Sequence, residues 1–328
     1  MSDPLRVRLA ALSRHRWFNR TWRAVITLIV IVWIFSRLDL TQFARVVVAP
    51  RWDALLGMVA AALIFVAIGG MKVWVLLRAL APVRLRLVLG YFVVATALGS
   101  FTPAALGDFS IAAFLRRENV PLHQGLSVML VDRVISVATY VLVFTPLTFA
   151  LLVRADQWWL LPVIFLAVAI LGLLLNANRS VRGFTRTRLI RVFVPAAEDF
   201  ARAISDLLRL YPLNLAGNVA LTLVRSSVAG LVIQFALSAA HEQPAFFPVV
   251  CATNFLTVVN LLPISIGGLG IYEGSGVILF EQFGINGENA LAALLYQRAY
   301  ILLSSAFILF VFWLYSVRHS SDITARLA

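Results

Sequence analysis

Cysteine, histidine, lysine and charge in general are scarce in this chain of 328 residues. The single cysteine, Cys251, excludes an internal disulfide and any Cys-rich metal site. The four histidines, His15, His123, His241 and His319, form no helical His-x-x-x-His pair, so a zinc-hydrolase centre has no ligands to draw on. Neither a metal nor a cofactor is expected. Only 13% of the residues are charged, about half the share usual in a globular protein. A small-residue cleavage site is also missing after Ile34, Phe35 and Ser36, so the Arg-rich start and its apolar run read as an uncleaved first span.

What fills the chain instead is hydrophobic, 61% of it. The uncharged stretches Ala54–Met71, Leu87–Gly107, Val134–Val153, Trp158–Leu175 and Ala299–Val317 each approach the roughly 20 helical residues that cross a bilayer core. A water-soluble enzyme is excluded, and the fold class is all-α, a polytopic helical membrane protein. The net charge is +13, from 28 basic and 15 acidic residues, and every basic residue except Lys72 is arginine. No basic stretch is long enough to make a separate nucleic-acid-binding domain, so no nucleic-acid partner is expected. The charge reads as cytoplasmic loops obeying the positive-inside rule.

Threading the chain by that rule gives spans near 22–37, 54–77, 125–153, 157–175, 212–240 and 288–317. Two apolar pairs, within 87–117 and 245–284, are interrupted and cannot both cross without inverting the basic loop Arg179–Arg191. As hairpins that enter and leave on one side, they leave only Arg37, Arg45, Arg51 and Arg154 external. The expectation is about six full spans plus two re-entrant broken-helix hairpins, with both termini cytoplasmic. Residues 1–21 form an Arg-rich cytoplasmic segment and 22–317 a single transmembrane domain. Within it lies a cytoplasmic basic loop and amphipathic helix at 176–210, and residues 318–328 are a cytoplasmic tail.

The two interruptions resemble each other. Pro103-x-x-x-Gly107 and Pro263-x-x-x-Gly267, the latter continuing through Gly268 and Gly270, each precede a short apolar helix, a polar turn and a long helix. The long helices carry Asp132-Arg133 and Gln297-Arg298 at matching places. Proline removes a backbone donor and glycine permits unusual dihedrals, so both suit a break. The topology makes the repeats inverted, a construction used by transporters whose broken helices meet near the midplane. Gly268-x-Gly270 follows no strand and lacks the Lys-Ser/Thr of a phosphate loop, so it is not read as a nucleotide site.

Ionisable residues in spans cost about 2.5–3.5 kcal/mol each on insertion scales and usually face an interior. Asp108, Asp132, Arg133, Arg225, Glu273 and Arg298 are the candidates, with Lys72 ranked below them because Arg78 lies nearby. Neighbours on a helix point about 100° apart, so Asp132 and Arg133 need partners elsewhere. Arg133 or Arg298 is expected to pair with Glu273 or Asp108. An arginine lining a cavity suits a phosphate through its planar fork, and a lipid headgroup is the phosphate most available at that depth. The acidic residues would suit the amine or hydroxyls of a headgroup, or a coupled proton.

Pro263-Ile-Ser-Ile-Gly-Gly-Leu-Gly-Ile-Tyr-Glu273-Gly followed by Phe283-Gly284-Ile285 resembles the signature of the lysylphosphatidylglycerol synthase transmembrane, or flippase-like, family. Pro103-x-x-x-Gly107-Asp108, Arg116-Arg117 and Val131-Asp132-Arg133 are similar to its earlier block, although Ile111 and Ala112 stand where an arginine is common and Ser136 where an acid is common. The resemblance covers about residues 20–317. It implies a membrane domain that moves a phospholipid or lipid-linked headgroup across the bacterial inner (plasma) membrane. The aminoacyltransferase domain of the full synthases has no counterpart in this sequence, so an enzyme is not expected, and a separate synthase or transferase would be the protein partner. The alternatives are a non-catalytic scaffold for a lipid or glycolipid biosynthetic enzyme, or a membrane enzyme acting on a lipid-linked substrate.

Overall fold

Prolines punctuate the long apolar stretches and set where the helices begin and end. The computed structural model describes residues 38–102, 109–152, 209–261 and 270–327, with a few isolated positions between them. The expected spans at 22–37 and 157–175, the basic loop, most of the amphipathic segment 196–210, and Pro103, Asp108, Pro263, Gly267 and Gly268 lie outside the described residues. Helix α1 (Leu40–Val48) occupies the segment expected outside the membrane. Asp39 caps it, accepting from the N–H groups of Thr41 and Gln42. Helix α2 (Trp52–Leu80) runs between Pro50 and Pro82, with Asp53 in its first turn and Arg78 in its last, each favourable to the helix dipole.

Helix α3 (Leu85–Phe101) is followed, beyond the break, by the short α4 (Ser110–Leu115) and a 3-10 turn, Arg116–Glu118. Helix α5 (Leu122–Leu152) is long and apolar, but five residues, Tyr140–Phe144, widen into a π turn. Pro146 accounts for it, since proline offers no N–H to the turn before it and its ring crowds that carbonyl. Helix α6 (Pro212–Ala239) starts on a proline at a position where no N–H is needed. Then come α7 (Phe246–Asn260), α8 (Ile271–Glu281) and α9 (Gly287–Leu327). Helix α9 continues past the expected end of its span at residue 317 and through the tail.

Four of these helices, α2, α5, α6 and the Gly287–Ser316 part of α9, are long and apolar enough to cross a membrane. Among the described residues there is no strand. The chain is a polytopic helical membrane protein.

Its ends differ in charge. One carries Arg78, Arg84, Arg86, Arg116 and Arg117 with Glu118; the other carries Asp39, Asp53, Glu242, Glu281 and Glu288 with Arg45 and Arg51. The α3/α4 pair opens and closes at the basic end, where Tyr91, early in α3, donates to Glu118 just after α4 at 2.8 Å. The α7/α8 pair opens and closes at the acidic end. There Glu242, just before α7, accepts from the Asn286 N–H and from Asn289 beyond α8.

Helices α2–α5 and α6–α9 therefore repeat one plan in opposite senses. Helices α2 and α6 pack antiparallel through the middle, and each carries its own pair and long helix. An offset of 160 residues relates α2 to α6, as Gly57 to Gly217 and Gly70 to Gly230 illustrate. A Cβ on Gly57 would sit 2.7 Å from Phe235, and one on Gly217 3.3 Å from Val75, the equivalent pair. Gly70 lies against Leu89 of α3 as Gly230 lies against Val250 of α7. Phe65 and Arg225, equivalent to each other, meet at the pseudo-twofold axis.

Candidate functional site

Lys72, two-thirds of the way along α2, has a side chain only 1% exposed. Its Nζ lies 3.2 Å from Asp132 Oδ1 on α5 and donates to Ser136 Oγ at 2.8 Å. Ser136 in turn donates to the Asp132 carbonyl. Asn218 on α6 ties in the third helix, its Nδ2 donating to Asp132 Oδ1 at 2.8 Å and to the Lys72 carbonyl at 3.1 Å. Buried charge is tolerable only when paired and hydrogen-bonded, and here three helices from both repeats supply the partners. Asp132 is thus committed to Lys72, which ranks low in the sequence. The signal for Lys72 is its singularity, one lysine among arginines inside a long apolar run.

Arg225 sits at the middle of α6. Its guanidinium carbon is 4.0 Å from the centroid of the Phe65 ring, and its Nε reaches the Phe65 carbonyl at 3.4 Å. Among the described residues it has no carboxylate partner. Arg225 and Arg133 both bear electrostatically on Lys72. Arg133 itself projects from the exposed side of α5. Asp132 is shared between Lys72 and Asn218, so Arg225 brings a second cation to a neighbourhood that holds one carboxylate among the described residues. Asn218 and Arg225 stand seven residues apart, two turns on one face of α6, so Asn218 was reachable from its spacing to the arginine.

The second group surrounds the other break. Gly270 has φ +80°, a conformation that favours glycine, and it caps α8. Glu273 Oε2 accepts the Gly270 N–H at 2.8 Å, the reach-back of a capping box. Its Oε1 lies 2.6 Å from Arg298 Nε on α9, a close ion pair without the alignment of a straight hydrogen bond. Glu273 is buried, and the neighbouring Tyr272 hydroxyl donates to Gln297 at 3.2 Å. Of the pairings expected from the sequence, Arg298 with Glu273 is found, and the two with Asp108 lie outside the described residues.

The structure thus sorts the candidates into two groups, Asp132, Arg133 and Arg225 with Lys72, and Glu273 with Arg298. Gly107 approaches α3 so closely that a Cβ would overlap the Gly99 backbone. Neither of two cavities of about 300 Å³ coincides with the charges. One is an apolar groove between α2 and α9, and the other lies at the basic end among Pro82, Val83, Arg84, Leu87 and Glu118. Among the described residues no group of three His, Cys, Asp or Glu side chains could hold a metal ion.

Residues 20–312 match the family model described as the lysylphosphatidylglycerol synthase TM region. No curated protein and no solved structure matches the chain.

Proposed function

The chain belongs to the lysylphosphatidylglycerol synthase transmembrane family, and from that premise we propose that it is a lipid flippase or lipid-handling transporter. It moves a phospholipid or lipid-linked headgroup across the bacterial inner membrane. The observation that carries this reading is Arg225, held at mid-span over Phe65 with no carboxylate partner among the described residues. Its planar fork fits a phosphodiester, and at that depth the phosphodiester belongs to a lipid. Arg298, engaged by Glu273, serves the second break instead.

The two helix pairs are re-entrant hairpins of an inverted repeat, and rocking of one repeat on the other exposes Arg225 to each leaflet in turn. Both termini are cytoplasmic. Movement is passive or ion-coupled rather than driven by ATP at this chain, and Asp108 or Glu273 carries the proton if one is coupled. A separate synthase or transferase supplies the lipid.

The test is translocation of a fluorescent phosphatidylglycerol in proteoliposomes, read by dithionite quenching. Wild type accelerates it, Arg225→Ala lowers the rate at least tenfold, and Arg225→Lys keeps part of it because a point charge replaces the fork. Equal rates in wild type, Arg225→Ala and protein-free liposomes would refute the reading.

A further inference from the structure

The two repeats differ most at one pair of equivalent seams. In the first, α5 packs on α6, and Asn218 reaches across to Asp132 while Lys72 of α2 joins them. The equivalent seam brings α9 beside α2. There the 160-residue offset replaces Asn218 by Met58 and Lys72 by Val232, and the matching long helices replace Asp132 by Gln297. Two of the three polar anchors are thus replaced by apolar residues, and the third, Gln297, is turned to Tyr272.

The α2–α9 seam is correspondingly open. An apolar groove of about 300 Å³ runs along it, walled by Leu55, Met58 and Val59 on α2 and Tyr296, Ala299 and Tyr300 on α9. Trp52 and Leu56, each 71% exposed, stand at its outer edge. Both walls are candidate spans, so the groove opens toward hydrocarbon. Its α2 wall runs over residues 52–59, about 10 Å of helix, and a packed helix about 10–12 Å across needs more room than it offers. A flexible hydrocarbon chain does not.

We propose that the α2–α9 groove is a lateral portal occupied by an acyl chain of the transported lipid, and that the equivalent α5–α6 seam is held shut by Lys72, Asp132 and Asn218. The groove lies in the acidic half of the molecule and the polar weld toward the basic half, so the structure is open to the leaflet at the acidic end. This rests on the lipid-transport reading above and adds to it the point of entry and the state of the molecule.

The experiment uses the full chain in phosphatidylglycerol vesicles containing phosphatidylglycerol with a diazirine in one acyl chain. Photolabel concentrates on peptides bearing residues 52–59 and 296–300. Ala299→Trp, which fills the groove, lowers that label at least fivefold and slows translocation in parallel. Leu303→Trp, on the exposed side of α9, changes neither. Val59→Phe gives a second way to fill the groove should Ala299→Trp fail to fold. Label spread evenly over Leu303, Phe307 and Phe310 and indifferent to Ala299→Trp would mean ordinary surrounding lipid and overturn the proposal. So would loss of the groove label with translocation unchanged. Labelling needs no translocation, so a labelled groove in a wild-type protein that moves no lipid would sink the transport reading and leave the acyl-chain site standing.

Discussion

Replacing Asp132 by asparagine removes a charge from the protein interior while keeping an oxygen for Asn218 to donate to. What it strands is Lys72, 1% exposed and 3.2 Å from the lost carboxylate. At an effective dielectric of about 20, two unit charges at that distance attract by about 5 kcal/mol. Taking each ion out of water costs several kcal/mol, so the intact pair is worth little net. Removing one partner leaves the other's penalty uncompensated, about 3–5 kcal/mol. Asp132→Asn is therefore expected to destabilise by about that much, and Lys72→Met by less, because Asp132 keeps Asn218 and is partly exposed. The double variant is expected to recover most of the Asp132→Asn loss. Unfolding free energies in mixed detergent micelles, arranged as a double-mutant cycle, read the coupling directly. Additive losses in the double variant would show that Lys72 finds its counter-charge elsewhere and would refute the weld between the repeats.

Glu273→Ala should cost about 1 kcal/mol more than Glu273→Gln in the same unfolding measurement, because glutamine retains an acceptor for the Gly270 N–H and alanine does not. Gly230→Ala is expected to destabilise by about 1–3 kcal/mol, since its Cβ would drive into the Val250 backbone. Gly90→Ala, with open space around it, should be neutral or slightly stabilising. At the acidic end, the Gln42 and Thr41 N–H groups hold the Asp39 carboxyl below its ordinary value of 3.8. A depressed carboxyl stabilises above its unfolded value and loses that effect as pH falls through the folded one. Protection of the Thr41 and Gln42 amides, measured against the intrinsic exchange rate at each pH, should then be high near neutrality and fall below pH 4 in wild type. Asp39→Ala should make exchange fast and nearly independent of that protonation.

Much of the architecture was legible in the sequence because bilayer physics acts on local composition. A run of apolar residues without charge has one stable fate in hydrocarbon, a helix with its own backbone bonded internally. Thus α2, α5, α6 and α9 follow from length and composition, and the repeat follows from two Pro/Gly interruptions ahead of matching long helices. The Glu273–Arg298 pair was one of four that the sequence left open, since an isolated charge in an apolar span needs a partner. What tertiary structure alone decided is which charges meet and which seam opens. Lys72 lies 60 residues from Asp132, and Asn218 lies 86 beyond that, so no local pattern could join them. Only the antiparallel packing of α2 on α6, with α5 laid across both, does so. Helix α1 likewise depends on remote partners, Tyr296 donating to the Val46 carbonyl and Glu288 accepting the Asp39 N–H. The open α2–α9 seam is a difference between two copies of one plan, and it exists only once the pseudo-twofold axis has placed Met58 and Gln297 where their counterparts hold a polar weld.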